Sequence, residues 1–170
     1  MTNQKKIKVF LVDDDPIFQK VLETQFKERT PHEIKTFSTG EDCLKKLNEK
    51  PDIIFLDYQL NSLSPKAQTG LQILNKIKAI DPEIEVVMLS SQDHIEVAVN
   101  CMKHDAFDYI VKSESAFMRA QKTISAILKI KKIKKEVVFY RTSSILLCFA
   151  VVITITIVVV IQIYNPSLLK

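Results

Sequence analysis

Strand-like and helix-like patterns alternate five times between residues 7 and 128 of this 170-residue chain. The predicted strands cover residues 7–12, 33–37, 53–56, 84–89 and 107–111. Residues 53–56 are apolar throughout, and the first, fourth and fifth segments are apolar except for one charged residue each, as in strands buried on both faces. Each segment is followed by apolar residues at helical spacing. This order predicts an α/β domain, in which helices cover both sides of a five-stranded parallel sheet.

The spacing of apolar residues also predicts where the helices lie and which side they bury. The predicted helices cover residues 16–28, 41–48, 71–80 and 93–103, and a long last helix begins at residue 115. In the first helix, Ile17, Val21, Leu22, Gln25 and Phe26 lie at helical spacing, which predicts an amphipathic helix with these residues on its inner side. In the fourth, Val97, Cys101 and Met102 are expected to face inward.

Polar residues follow the predicted strands at the ends where a parallel sheet binds ligands. They are Asp13, Asp14 and Asp15 after the first strand, Asp57 after the third, Ser90 after the fourth and Lys112 after the fifth. Carboxylates can hold a divalent cation, and a lysine and a hydroxyl can neutralise and bind phosphoryl oxygens. A carboxylate can also attack phosphorus to form an acyl phosphate. Asp15 precedes Pro16 and is expected to cap the first helix instead.

Four motifs carry a resemblance to a known family, and they come in the family's order and spacing. They read "FLVDDDP", "IIFLDYQL", "VVMLSS" and "DYIVKS". Residues 1 to about 128 resemble the receiver domain of two-component response regulators. The resemblance implies a flavodoxin-like, doubly wound (βα)5 fold that acts as a phosphoacceptor rather than as a conventional enzyme. It implies that the domain supports its own phosphorylation and dephosphorylation.

The resemblance also implies a role for each matched residue. Asp57 is the expected phosphoacceptor, and Lys112 and Ser90 the expected phosphate-binding residues. Ser90 and Tyr109 match the two switch positions. The expected Mg²⁺ ligands are Asp14 directly, Asp13 through water, Asp57, and the main-chain carbonyl of Gln59.

The chain departs from the family pattern at three places. The loop at residues 58–69 is several residues longer than usual, and it either shapes the docking of a kinase or is a surface insertion. Ser113 follows Lys112 where the family usually has a proline. Gln59 and Gln92 occupy positions that tune the lifetime of the phosphoryl group in the family, and the sequence gives no lifetime.

Composition excludes some other classes of protein. Only two glycines are present, which argues against a glycine-rich phosphate loop. Cys43, Cys101 and Cys148 show no metal-binding spacing, and we expect all three to be buried, reduced thiols. Residues 129–170 contain seven Lys or Arg and one Glu, so their net charge is +6. Because the net charge of the whole chain is +4, residues 1–128 have a net charge of −2.

The C-terminal part of the sequence differs from the rest. Residues 142–164 contain no Asp, Glu, Lys or Arg, and about 20 apolar residues are enough to cross a bilayer as a helix. We expect a receiver domain at 1–128, a basic juxtamembrane helix or linker at 129–141, a transmembrane helix at 142–164 and a short tail at 165–170. The basic flank places the receiver in the cytoplasm, as a single-pass protein of the bacterial inner membrane.

These features lead to one main hypothesis and two alternatives. The main hypothesis is a membrane-anchored receiver that takes a phosphoryl group from a sensor histidine kinase or phosphotransfer protein. It would switch through a homodimer face on the fourth and fifth helices, and it would bind the lipid bilayer but no nucleic acid. One alternative is an unphosphorylated pseudo-receiver that serves as a membrane scaffold. The other, a phosphatase of the haloacid dehalogenase type, is disfavoured because Ile17 stands where that family needs threonine or valine.

Overall fold

The structure is a computed structural model that describes residues 6–60 and 68–164. Within the long last helix, the side chains of residues 138, 141, 142, 151 and 157–164 are not described. The strands are β1 (Lys8–Val12), β2 (Glu33–Phe37), β3 (Ile53–Asp57), β4 (Glu85–Ser90) and β5 (Asp108–Val111). The helices are α1 (Pro16–Arg29), α2 (Gly40–Leu44), α3 (Gly70–Ile80), α4 (Ile95–Lys103) and α5 (Ala116–Tyr164).

The five strands form one parallel sheet in the order β2-β1-β3-β4-β5. This is the flavodoxin-like order, in which the connections reverse direction beside β1. β3 lies in the centre, and all five of its residues are buried. The predicted five-stranded parallel sheet is therefore confirmed, and it brings the carboxyl ends of β1, β3, β4 and β5 to one edge.

The core fills both sides of the sheet with aliphatic and aromatic side chains. Phe26 of α1 is fully buried and packs against the rings of Phe55 and Phe117. Phe10 packs against Phe37 with 4.8 Å between the ring centroids. α3 buries Ile73, Leu74 and Ile77 in the same core cluster as Phe10 and Phe37. These contacts fix α1 and α3, whose N-termini lie beside the strand ends.

Some predicted helix faces are wrong. Ile17 and Val21 of α1 are 76 % and 51 % exposed, and Met102 of α4 is 48 % exposed. The sheet covers only part of a helix surface, so a side chain one position away from the buried stripe stays in solvent. In α4 only Cys101 is buried. The apolar spacing had predicted a wider buried face than the sheet can cover.

Two helix bounds also differ from the prediction. α2 ends at Leu44 and is followed by a single 3₁₀ turn, Leu47–Glu49, where we expected one helix over residues 41–48. Lys50 then takes a left-handed conformation, with φ 54°, which ends the turn before β3. α4 begins at Ile95 rather than at residue 93.

The chain divides into two compact units, Met1–Ser125 and Ala126–Lys170. The first holds the sheet, and the described part of the second is helical. The expected membrane-spanning helix is not found: among the described residues, no helix is both long enough and apolar enough to cross a membrane. Part of the expected span, residues 157–164, lies outside the described side chains, and the predicted tail at 165–170 lies outside the described residues.

Two of the three cysteines behave as predicted. Cys43 and Cys101 are buried and unpaired, and burial raises the pKa of the Cys43 thiol to about 12. Cys148 is exposed, so the prediction that all three are buried is wrong. It lies on α5, within the described part of the second unit.

Candidate functional site

Four strand ends place the predicted site residues at one edge of the sheet. Asp13 directly follows β1, Asp57 is the last residue of β3 and Ser90 the last of β4. Lys112 directly follows β5, and its backbone N–H donates to the carbonyl of Ser90 at 2.7 Å. Asp13, Asp57 and Ser90 are all buried. Buried carboxylates are unusual and need hydrogen-bond or ion-pair partners.

Lys112 supplies those partners. Its Nζ lies 2.8 Å from Oδ2 of Asp13 and 2.8 Å from Oδ2 of Asp57, to which it donates a hydrogen bond. The lysine side chain is only 12 % exposed, so solvent screens these ion pairs weakly. The structure thus brings together three residues that are separated by up to 99 positions in the chain.

Burial and charge shift the pKa values in this cluster. Burial raises the pKa of Asp57 to about 6, against the opposing effect of the hydrogen bond from Lys112. Burial likewise raises the pKa of Asp13. For Lys112, burial alone would lower the pKa, but the contacts with Asp13 and Asp57 outweigh it and the pKa is raised. Two buried carboxylates therefore share one ammonium group, which leaves the cluster one positive charge short.

A divalent cation fits this deficit. Asp13, Asp14 and Asp57 each offer a carboxylate oxygen, and these oxygens lie within 4.8 Å of one another. Oδ2 of Asp13 is buried and accepts no hydrogen bond of good geometry, although it is ion-paired with Lys112. Mg²⁺ binds through one or two carboxylates together with waters and phosphate oxygens. The donor set therefore fits the predicted Mg²⁺, and Asp14 is the most accessible of the three ligands.

The loops after β3 and β4 fix the neighbouring polar groups. The backbone N–H of Gln59 donates to Oδ1 of Asp57 at 3.2 Å, and the Gln59 carbonyl as a metal ligand stays a prediction. The Ser90 hydroxyl accepts from the backbone N–H of Gln92 at 3.1 Å. The Tyr109 hydroxyl donates to the carbonyl of Gln92 at 2.6 Å. The two predicted switch residues therefore hold the same peptide segment through its N–H and its carbonyl.

Asp15 has the role predicted for it. Its carboxylate accepts from the backbone N–H groups of Ile17 and Phe18, at 2.9 and 3.2 Å, and Pro16 begins α1. Asp15 also donates its own backbone N–H to Oδ1 of Asp13 at 3.0 Å. The third aspartate of the triplet thus caps the helix and orients the first.

Three further residues contact the site and were not predicted to do so. The Gln19 side chain donates to the carbonyls of Asp13 and Phe37, at 3.0 and 2.8 Å. The Phe18 ring lies beside Lys112, with 5.0 Å from Nζ to the ring centroid. A Cβ on Gly70 would lie 2.0 Å from the carbonyl oxygen of Asp57. Only Gly70 left a sequence signal, as one of two glycines in the chain.

This geometry suits one kind of chemistry. A phosphoryl group placed beside Asp57 would meet Lys112 and a metal held by the aspartates, which together neutralise its oxygens. An ionised carboxylate is the nucleophile, and the metal favours that form by its charge. Phosphoryl transfer depends mainly on such positioning and charge neutralisation.

Comparisons with known proteins bear on the family and the fold. The family model described as "Response regulator receiver domain" matches residues 9–122. The luminescence regulatory protein LuxO of Vibrio campbellii is 30% identical over 105 residues, which are 61% of this chain and 22% of LuxO. The transcriptional regulatory protein CssR of Bacillus subtilis is 28% identical over 124 residues, which are 71% of this chain and 52% of CssR. The match therefore covers about a fifth of LuxO and half of CssR.

Solved structures give the same result. The signal receiver domain of a putative Luxo repressor protein from Vibrio parahaemolyticus superposes with a TM-score of 0.67 at 25% identity, over 78% of this chain and 98% of that one. NtrX from Brucella abortus, solved in complex with ATP, superposes with a TM-score of 0.69 at 30% identity, over 78% of this chain and 29% of NtrX. The chain belongs to the response regulator receiver domain family.

Proposed function

We propose that the chain accepts a phosphoryl group on Asp57 in a Mg²⁺-dependent reaction and passes the signal on by a conformational switch. The observation that carries the proposal is the position of Lys112, 2.8 Å from both Asp13 and Asp57 in a buried cluster that is one positive charge short. A cluster built only for stability would balance its charges, because an unpaired buried charge is costly.

Each residue has a definite part in this reaction. A carboxylate oxygen of Asp57 forms the bond to phosphorus, while the bond from phosphorus to the donor's leaving group breaks. Lys112 binds an oxygen of the transferred group, and Asp13, Asp14 and Asp57 would hold the cation. When bound, Mg²⁺ would supply positive charge that neutralises the phosphoryl oxygens. The donor is a sensor histidine kinase or a phosphotransfer protein, and the domain acts as phosphoacceptor rather than as a conventional enzyme.

The switch uses the segment held by Ser90 and Tyr109. A phosphoryl oxygen on Asp57 accepts a hydrogen bond from the Ser90 hydroxyl and draws that side chain toward itself, away from the Gln92 N–H that now donates to it at 3.1 Å. Burial raises the pKa of Tyr109, so its hydroxyl stays protonated and keeps donating to the carbonyl of Gln92. A change at Ser90 therefore reaches the segment that leads into α4.

The experiment is labelling by a small phosphodonor such as acetyl phosphate, with and without Mg²⁺. We expect a hydroxylamine-labile label that needs Mg²⁺ and is lost in Asp57→Asn. The matched control is Asp15→Asn, which keeps a capping side chain and should be labelled like the wild type. A chain that folds and binds Mg²⁺ but takes no label would contradict the proposal and favour the unphosphorylated scaffold.

We also propose that α4 and α5 form a homodimer face. Ile95, Val99 and Met102 of α4 are 80 %, 48 % and 48 % exposed, and Met118 of α5 is 55 % exposed. These helices precede and follow the edge strand β5 in the chain, and several exposed apolar side chains around one sheet edge are typical of an interaction surface. Sedimentation of the wild type and of Val99→Lys, with and without phosphodonor, tests this; an unchanged monomer throughout would contradict it.

For residues 142–164 we propose a single-pass anchor in the bacterial inner membrane. It is supported by the uncharged sequence at 142–164 and by the basic residues at 129–135, which suit anionic headgroups. Cell fractionation with an alkaline carbonate wash should leave the full chain in the membrane pellet and a chain ending at Lys135 in the supernatant. Recovery of the full chain in the supernatant would contradict the anchor. No nucleic acid partner is proposed.

A further inference from the structure

Among the residues that the structure describes, the Lys112 ammonium group contacts two carboxylates and one aromatic ring. The carboxylates are those of Asp13 and Asp57, each 2.8 Å from Nζ. The ring is that of Phe18 on α1, and its centroid lies 5.0 Å from the same nitrogen. An ammonium group at this distance is attracted by the negative face of an aromatic ring, and the attraction is larger where solvent is excluded. The side chain of Lys112 is only 12 % exposed.

The carboxylate contacts and the ring contact respond differently to the reaction. Asp13 and Asp57 are candidate metal ligands, and Asp57 also takes the phosphoryl group, so both are drawn to other partners once the site is loaded. The Phe18 ring binds neither the metal nor phosphorus. Of the three contacts, the one with Phe18 is therefore the one that can hold the ammonium group in place throughout the reaction.

The backbone around Lys112 does not fix the position of its ammonium group, so neighbouring side chains must do so. The lysine is anchored at its own N–H, which donates to the carbonyl of Ser90 at 2.7 Å. It is followed by Ser113, which is exposed and lacks the φ restraint that proline imposes. From this anchor a flexible four-carbon chain leads to Nζ. Phe18, Lys112 and Ser113 also line one groove of about 480 Å³, so loss of the ring would open the lysine to water.

We propose that Phe18 is a positioning residue, which holds the Lys112 ammonium group against the phosphoryl site through the face of its ring. This inference rests on the proposed function of Asp57 as phosphoacceptor and adds to it a residue that touches neither metal nor phosphorus. Phe18 acts through Lys112 and is not itself a catalytic residue.

The first test varies the ring's charge distribution and keeps its shape. Phe18 is replaced by phenylalanines with one, two and five ring fluorines, which progressively weaken the negative face. We expect the rate of Mg²⁺-dependent labelling by acetyl phosphate to fall stepwise, about 3- to 10-fold over the series. Phe18→Tyr should keep the rate and Phe18→Leu should lose it. Fluorinated Phe26, which packs against Phe55 and Phe117, is the control and should not follow the trend.

A rate that is the same across the Phe18 series would overturn the inference, because a ring that only fills space keeps doing so after fluorination. The second test needs no phosphorylation. A double-mutant cycle of Phe18→Leu and Lys112→Met is measured by urea unfolding without metal or phosphodonor. We expect the shifts in midpoint to be non-additive.

The two tests separate failure of the inference from failure of the proposed function. If the wild type takes no label, the proposed function fails, and the unfolding cycle still decides whether Phe18 and Lys112 interact. Additive shifts in that cycle would overturn the inference whatever the labelling shows. Non-additive shifts together with a graded labelling rate support it.

Discussion

The ionised Asp57 carboxylate lowers the free energy of unfolding, because its proposed role as phosphoacceptor places it in a buried site. It is buried, and burial raises its pKa from 3.8 to about 6. A folded-state pKa above the unfolded value means that the native protein holds more protons between these two values. The free energy of unfolding therefore falls as the pH rises from about 4 to about 6, and the cost is fully present above that range.

A stability measurement without metal tests this cost. We expect Asp57→Asn to raise the free energy of unfolding at pH 7 by roughly 1–3 kcal/mol, because the amide removes a buried negative charge. This difference in free energy of unfolding between Asp57→Asn and the wild type should shrink toward pH 5, where Asp57 is protonated. It should also shrink when Mg²⁺ binds and stabilises the wild type. Urea unfolding at several pH values, with EDTA or with Mg²⁺, measures both effects. An Asp57→Asn protein that is no more stable than the wild type at pH 7 in EDTA would contradict the assigned burial cost.

Gly70 is a second residue whose identity the site requires. Its missing Cβ would lie 2.0 Å from the carbonyl oxygen of Asp57 and 2.8 Å from the Cα of Tyr58. Both obstacles are backbone atoms, so Gly70→Ala must move α3 or the end of β3. We expect a loss of about 2 kcal/mol or more in the free energy of unfolding, together with slower labelling of Asp57.

Gly40→Ala is the matched control for that change. The three atoms nearest to a Cβ on Gly40 all belong to the side chain of Ile73, so the variant should lose stability through overpacking and leave the labelling rate unchanged. If Gly70→Ala is labelled as fast as Gly40→Ala, the close approach of α3 to Asp57 does not matter to the site.

At the scale of elements, the N-terminus of α1 allows the effect of capping the helix to be tested separately from the effect of binding the metal. Asp15 holds the backbone N–H groups of Ile17 and Phe18, and it lies next to two predicted metal ligands. We expect Asp15→Ala to cost about 1 kcal/mol of stability and Asp15→Asn to cost little, because asparagine caps as well as aspartate. Thermal unfolding measures the difference between the two variants.

The same two variants should bind Mg²⁺ with the affinity of the wild type. Calorimetric titration checks this, because a ligand lost from the metal site would lower the affinity in both. A large loss of Mg²⁺ affinity in Asp15→Asn would place Asp15 among the ligands and contradict the cap as its main role.

The strands were more predictable than the helices, for physical reasons. A strand such as β3, buried on both faces, is predicted from the continuous apolar run between Asp52 and Asp57. Helix faces depend on how much of the helix the sheet covers, which local spacing does not show, and this is why Ile17, Val21 and Met102 were wrongly predicted to face inward. The site residues were predictable because parallel strand ends converge on one edge of the sheet.

The contacts of Phe18, Gln19 and Gly70 with the site could not be predicted in the same way. They depend on how closely α1 and α3 approach the strand ends. Gln19 reaches the carbonyls of Asp13 and Phe37 across 6 and 18 positions of sequence, and nothing in its local pattern marks it. Such contacts are properties of packing, and they emerge only when the elements are placed together.

At the scale of the whole molecule, the chain combines a receiver domain with a long helical segment. The family match covers residues 9–122, and the first of the two compact units ends at Ser125. The relatives LuxO and CssR are longer than the region they share with this chain. Residues 126–170 lie outside the family match, and membrane attachment is our proposal for them.

The central claim is that Asp57 itself receives the phosphoryl group. The most direct measurement is to label the full chain with acetyl phosphate and Mg²⁺, reduce it with borohydride and map the product by peptide mass spectrometry. Reduction converts an aspartyl phosphate to homoserine, so we predict homoserine at position 57 in the wild type and none without Mg²⁺. Homoserine at another aspartate, or at none in a folded, Mg²⁺-bound chain, would contradict the claim.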